Sequence, residues 1–279
     1  MPPLAANASM TFDVEPVRFG EPHRGTQALA VAVETPVNIV FGNMPYAVMM
    51  ATPTDLEDFV TGFSLTEGII RSPDEIRGIT VASHEDGVVV TVDLAAGRFR
   101  EHLARRRNLS GRTSCGLCGV ETIEEMPMAH KTLETRAPIS ATALSRALDA
   151  LDTHQVLNRE TRSVHAAAWC DRDGAILTAR EDVGRHNALD KLIGARLRAV
   201  GEAGDGFVLV TSRASFEMVE KTAIFGAAML ATISAPTSLA VERARRLRLT
   251  LASFARAGGC TVFAGALAPD GEPAAAKVG

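Results

Sequence analysis

Lysine is scarce in this chain: 4 of its 279 residues, against 25 arginines. Any anion site will therefore depend on the planar fork of arginine rather than on a lysine point charge. Cysteine is also scarce, with four in all, too few to staple a chain of this length as a disulfide scaffold. No apolar run reaches the roughly 18 residues a membrane helix requires. The first dozen residues have neither the basic start nor the apolar stretch of a secretory signal. With a formal net charge of −4, no global basic field invites nucleic acid. The expectation is a cytoplasmic protein with no nucleic-acid partner and no membrane anchor. Its 46% hydrophobic and 22% charged residues are those of a globular protein, long enough for two domains.

The pattern along the chain divides near Arg136-Ala137-Pro138. The opening dozen residues are small and polar and predict no element. From Leu29 to Met50, alternating apolar residues around Gly42-Asn43 read as strand, turn, strand. Thr54-Asp55-Leu56-Glu57 opens a helix with a hydroxyl cap and early acids, followed by Phe59, Val60 and Phe63 on one face. Ile79–Ala82 and Val88–Leu94 read as strands. Arg98 to Arg112 is basic and has no clear period. Beyond Pro138, a helix is expected from Ser140 to about Leu157. Strands then alternate with helices: strands near 164–169, 175–179 and 207–211, helices from Asn187 and over 216–229, a short strand at Ile233, a helix over 239–247, and closing strands near 249–254 and 261–263. This order predicts an α/β fold: an α+β part over residues 14–136 and a sheet covered by helices over 137–268.

The sharpest chemical signal is Cys115-Gly116-Leu117-Cys118, flanked by Gly119. A structural zinc site needs two further ligands, and Cys170, Cys260, His165 and His186 are scattered singly. A redox pair normally opens a helix after a first strand, whereas this pair follows a long basic stretch. A third reading is an accessible thiol beside Arg112, whose charge favours the reactive thiolate; such a thiol suits the carriage of sulfur as a persulfide. The Arg105-Arg106-Arg107 run favours an anionic ligand, or is simply a solvated face. Three polar segments follow strands in the second half. Arg180 to Asn187 includes Arg185 and His186, with Asn187 and Asp190 spaced as a helix cap. Thr211 to Ser215 includes Ser212 and Arg213, and Ser234 to Ser238 is the third. Free N–H groups at such helix starts suit phosphate. Phe254-Ala255-Arg256-Ala257-Gly258-Gly259 adds an aromatic surface for a purine and small residues for close phosphate approach, or is an ordinary hairpin turn.

Taken in order, Thr52–Phe59 with Glu67-Gly68-Ile69-Ile70, Ser114–Gly119, Arg180–Gly194, Ser212–Val219 and Ser234–Glu242 resemble the FdhD/NarQ family of formate dehydrogenase accessory sulfurtransferases. The resemblance runs from about Val14 to Phe263. It implies a cytidine-deaminase-like three-layer α/β/α sheet in the C-terminal part. It also implies transfer of sulfur from a cysteine desulfurase to the molybdenum bis-molybdopterin guanine dinucleotide cofactor of formate dehydrogenase. By motif position Cys115 would bear the persulfide, Cys118 would be its partner, and Phe254 to Gly259 would contact the cofactor. A homodimer is implied as well, and no metal of the protein's own. Deaminase chemistry itself is not expected: it needs His-x-Glu and Pro-Cys-x-x-Cys, but His165-Ala166-Ala167 lacks the Glu, Ser114 stands in place of the Pro, and the two segments occur in reverse order. A non-catalytic chaperone that binds and delivers the cofactor is the other reading.

Overall fold

The computed structural model describes residues 7–20, 25–106, 128–129, 132–134 and 136–269. Strand β1 (Ser9–Val14) pairs antiparallel with β2 (Gln27–Ala32), Phe12 opposite Leu29. A strand at Ser9 corrects the expectation of none before Val14: Met10, Phe12 and Val14 alternate, a signal too short to stand out among small residues. In β3 (Thr35–Phe41), Val37, Ile39 and Phe41 are buried on one face, as the period of two dictates. Gly42, at φ 63, turns the chain into β4 (Met44–Ala51). Helix α1 (Leu56–Thr66) follows, then β5 (Ile76–His84) and β6 (Gly87–Leu94). These four strands form one sheet in the order β4-β3-β6-β5. Phe59, Val60 and Phe63 of α1 close its inner face, with Phe59 and Phe63 part of an aromatic chain that includes Tyr46.

Two expectations in this half are corrected. The N-cap of α1 is Asp55, at φ 53 and without a side-chain cap bond, rather than Thr54. The acids of that turn are drawn instead to Arg180, which lies 3.5 Å from Asp55 and 2.7 Å from Asp58. The basic stretch after Leu94 is not patternless, since Ala96–Arg106 forms helix α2. Phe99 lies against Gly42, and Arg98, 6% exposed, reaches the Gly68 carbonyl and Glu75.

The second half begins with α3 (Ala141–Leu151), capped by the Ser140 hydroxyl, which accepts from the Ala143 N–H at 3.1 Å. The single helix expected to Leu157 is broken after Leu151 by a 3-10 turn, and α4 (Val156–Thr161) starts anew. Glu181 causes the restart: its carboxylate accepts from the N–H groups of Leu157 and Asn158, both at 2.8 Å. Next come β7 (His165–Asp171), β8 (Ile176–Asp182), α5 (Arg185–Val200), β9 (Gly206–Val210), α6 (Phe216–Phe225), β10 (Met229–Thr232), α7 (Ser238–Leu247), β11 (Thr250–Arg256) and β12 (Gly259–Ala264). Helix α6 stops at Phe225 rather than Met229, because Gly226 takes a left-handed conformation at φ 91 and Met229 is needed in β10. For the same reason Ile233 lies beyond the strand rather than in it.

This sheet has the order β12-β11-β10-β9-β7-β8. On one face, α3 packs Ala143, Leu144 and Leu151 on Ala168, Phe207 and Leu209. On the other, α5, α6 and α7 cover Trp169, Val208, Val210 and Leu230. The fold is therefore α/β, with helices on both faces of the larger sheet. The two halves meet where α1 crosses α5 at two glycines. A Cβ on Gly62 would lie 1.9 Å from the Asp190 carbonyl oxygen, and one on Gly194 would lie 1.8 Å from that of Asp58. Among the described residues, no helix is long and apolar enough to cross a membrane.

Candidate functional site at the strand ends

Strands β9, β10 and β11 are mutually parallel, and β7 runs against both β9 and β8. Hence β8, β9, β10 and β11 all end at one edge of the sheet, and α5, α6 and α7 start there. Helix starts at strand ends concentrate N–H donors and positive potential, which is where open α/β sheets bind ligands.

The three polar segments do converge on this edge. Ala214 and Pro236 form a bridge between the second and third, with the Ala214 N–H donating to Ala235 O at 3.2 Å and the Thr237 N–H to Ala214 O at 2.9 Å. The Phe254 N–H reaches Ser234 O at 3.3 Å, and Thr232 Oγ1 donates to Ser253 Oγ at 2.8 Å. Ser212 is buried, donating to Arg213 O at 3.1 Å, while Arg213 is exposed. Phe254 is 45% exposed and sits at φ 54, beside a register shift between Ser253 and Arg256. A bulky residue with positive φ is strained, and such strain concentrates at ligand sites. Ala255 is buried; Arg256, Ala257, Gly258 and Gly259 form the exposed turn into β12.

The helix starts are not equally finished. The Thr237 hydroxyl caps α7, accepting from the Ala240 N–H at 3.3 Å. Neither Gly184 before α5 nor Ser215 before α6 makes a side-chain cap bond. Ser215 Oγ and Arg185 Nε are buried without a hydrogen-bond partner. The cap expected from Asn187 and Asp190 does not form: α5 begins two residues earlier, at Arg185. Asn187 instead donates to Met50 O at 2.8 Å and to Asp182 Oδ1 at 3.0 Å. Asp190 is buried against Lys221.

His186 Nε2 lies 2.7 Å from Glu217 Oε2, across the starts of α5 and α6. That close contact holds the Glu217 carboxyl below its ordinary range, ahead of the opposing effect of burial. His165, at the start of β7, is lowered by burial and then by the charges of Arg185 and His186. The edge is thus a cationic, donor-rich surface suited to a phosphorylated ligand.

Three charge networks behind the edge escaped the sequence reading. Asp58 accepts from Arg180 Nε at 2.9 Å and from Arg198 at 2.6 Å. Asp182 pairs with Lys191 at 2.7 Å, both wholly buried. Lys221 Nζ donates to Asp190 at 2.8 and 3.0 Å and to Thr66 Oγ1 at 2.8 Å. Burial opposes the Lys221 charge, but Asp190 and Glu67 outweigh it and the ammonium is held above its ordinary range. The available signal was scarcity: Lys191 and Lys221 are two of only four lysines in an arginine-rich chain.

Cys115 and Cys118 lie outside the described residues. Of the other two cysteines, Cys170 is wholly buried, its thiol pushed up by burial and then by Asp171. Cys260 is pushed up by burial alone. Neither is suited to act as a thiolate. Among the described residues, no cluster of three or more His, Cys, Asp or Glu side chains is arranged to hold a metal.

Fold and edge together define an α/β protein with uncapped helix starts, arginines and a strained aromatic gathered at one sheet edge. The chain belongs to the FdhD/NarQ family, whose model matches residues 32–268. A relative named sulfur carrier protein FdhD from Variovorax paradoxus (strain S110) is 45% identical over 91% of this chain and 95% of its own length. Another of that name, from Xanthomonas campestris pv. campestris (strain B100), is 47% identical over 88% and 89%. A crystal structure of a putative formate dehydrogenase accessory protein from Desulfotalea psychrophila superposes with a TM-score of 0.71, covering 93% of this chain and 98% of that one. At 24% identity that likeness is one of fold.

Proposed function

We propose that this chain is a sulfur carrier that matures formate dehydrogenase, with Cys115 as the persulfide-bearing residue and Cys118 as its partner. A cysteine desulfurase supplies the sulfur. The Cys115 thiolate attacks the outer sulfur of the donor's persulfide; a new S–S bond forms, the donor's S–S bond breaks, and the donor cysteine leaves as a thiolate. The acceptor substrate is the molybdenum bis-molybdopterin guanine dinucleotide cofactor, held at the strand-end edge. The observation that carries the reading is agreement at 45 and 47% identity, over about nine-tenths of the chain, with proteins named as sulfur carriers. The edge supports the acceptor half. Uncapped α5 and α6, with Arg185, His186, Ser212 and Arg213, suit diphosphate oxygens, and exposed Phe254 with Arg256 to Gly259 suits a guanine ring. The raised thiols of Cys170 and Cys260 support placing the chemistry on the Cys115–Cys118 pair. The sheet with helices on both faces supports a deaminase-like layering of residues 137–268. The protein is proposed to act in the cytoplasm as a homodimer.

Mass spectrometry after incubation with a cysteine desulfurase and cysteine tests this. One added sulfur mapping to Cys115 or Cys118 is the expected result, and its absence from both refutes the carrier role. A Cys115→Ala variant should fail to mature formate dehydrogenase while still binding guanosine diphosphate. Full maturation by that variant would replace the carrier with a cofactor-delivering chaperone.

A further inference from the structure

The junction between β4 and the start of α5 is unusually complete. Asp182, the last residue of β8, is wholly buried, and both of its oxygens are occupied. Oδ1 accepts from the Gly184 N–H at 2.8 Å and from Asn187 Nδ2 at 3.0 Å. Oδ2 accepts from the Thr52 N–H at 2.9 Å and is ion-paired with Lys191 Nζ at 2.7 Å. Thr52 answers with its other two polar groups. Its carbonyl accepts from Lys191 Nζ at 2.9 Å, and its hydroxyl accepts from the Val183 N–H at 3.2 Å. Met50 O takes the remaining proton of the Asn187 amide at 2.8 Å.

Met50, in β4, and Thr52, just after it, thus bind Asp182, Val183, Asn187 and Lys191 around the loop that leads into α5. The consequence lies in what they consume. The N–H groups of Val183 and Gly184 are spent on Thr52 and Asp182. The Asp182 carboxylate, two residues before the Gly184 N-cap, is taken by three N–H donors and the Lys191 ammonium and is unavailable to cap α5. Its negative charge is matched by Lys191. The first-turn N–H groups of α5 therefore have no partner among the described residues; they lie beside Arg185 and His186, and the one neighbouring acid there, Glu217, is paired with His186.

We infer that Thr52 and Asp182 are positioning residues for the anion site: the N-terminal sheet holds the β8–α5 loop so that α5 presents an uncapped start to the ligand. This rests on the proposed acceptor site at the strand ends. Losing the Thr52 hydroxyl frees the Val183 N–H and loosens the loop, letting Asp182 relax toward the helix start, where it would repel phosphate.

The test measures guanosine diphosphate affinity by titration calorimetry on the full chain, alongside the thermal midpoint. Thr52→Val keeps the backbone bonds to Asp182 and Lys191 and removes only the hydroxyl; it should weaken binding by about fivefold or more. Thr52→Ser restores the hydroxyl and should bind within about twofold of the parent, since the hydrogen bond is retained. Val90→Ala, wholly buried in β6 and two strands from β4 in the four-stranded sheet, should lower the midpoint at least as far without changing affinity. That control separates positioning from general loss of stability. If the parent protein binds the nucleotide and Thr52→Val binds it equally well, the positioning role is overturned and the acceptor site stands. If the parent does not bind it, the acceptor placement is lost and this inference with it.

Discussion

Alanine at Gly62 should destabilise this protein, although the substitution ordinarily strengthens a helix. In the middle of α1, Gly→Ala is worth up to about 1 kcal/mol in favour of the folded state. Against this stands the crossing with α5. The new Cβ would lie 1.9 Å from the Asp190 carbonyl oxygen and 2.8 Å from the Gly194 nitrogen. Both are backbone atoms inside a helix and cannot rotate away. A normal contact requires the helices to part by roughly 1.5 Å, which forfeits much of the dispersion energy along the crossing. Forcing atoms into a packed interface costs about 1–3 kcal/mol, or more where backbone resists. Parting also stretches the Thr66–Asp190 bond, 2.8 Å long, and the Asp58–Arg198 bond, 2.6 Å long. After the helix gain is subtracted, the net loss is about 2 kcal/mol or more, and the thermal midpoint should fall by roughly 4–8 °C. Gly97→Ala is the matched control. It sits in α2 with nothing within 4 Å of its would-be Cβ, so the midpoint should hold or rise slightly. A Gly62→Ala midpoint at or above that of the parent would refute the close-crossing argument.

Three further outcomes follow from the charge networks. Lys221→Met strands buried Asp190 and should cost about 3–5 kcal/mol in denaturant unfolding, with Lys221→Met/Asp190→Asn recovering most of it. Glu217 has a folded-state carboxyl below its ordinary value of 4.5, so the unfolded chain binds more protons as acid is added. Its stabilisation is complete above that ordinary value and is lost as pH falls through the lower folded one; the midpoint of Glu217→Gln should decline less steeply between about pH 5 and 3. Glu220 accepts from the Ala129 N–H at 2.7 Å, and Arg243, paired with Glu220, donates to Ala129 O at 2.9 Å. Glu220→Gln should speed hydrogen exchange at the Ala129 amide by roughly tenfold or more; an unchanged rate would show that this clasp does not restrain the chain.

Periodicity made most of the fold legible. The alternation of β3 and β6, the buried runs of β9 and β10, and the Thr237 start of α7 all follow from local pattern. The exceptions were places where a distant group overrode it. Glu181 restarts a helix after Leu151 from across the fold. Arg180 draws Asp55 and Asp58 away from capping α1. Among the described side chains of α2, Phe99 and buried Arg98 reach the sheet, neighbours in sequence that set up no period. The candidate site shows the same division. The three polar segments were recognisable singly and their convergence follows from strand order. The capping of α5 was misread because Asn187 and Asp190 have the spacing of a cap, while their true partners, Met50 and Lys221, lie far away in sequence.

That misreading bears on how the two halves are joined. A protein that only needed to stack two sheets could do so with apolar faces, as α1 does over β3 and β6. Here the crossing also carries buried Asp182–Lys191 and Asp190–Lys221 pairs, which are poor stabilisers relative to a hydrophobic isostere because each charge is desolvated. What such pairs supply is direction: Asp182 fixes the loop before α5, while Asp190 and Lys221 fix α5 against α6. These are the two helices at the strand-end edge whose starts are left without side-chain caps. The polar part of the crossing is therefore concentrated behind the starts of α5 and α6, so its removal should cost affinity at the proposed acceptor site as well as stability.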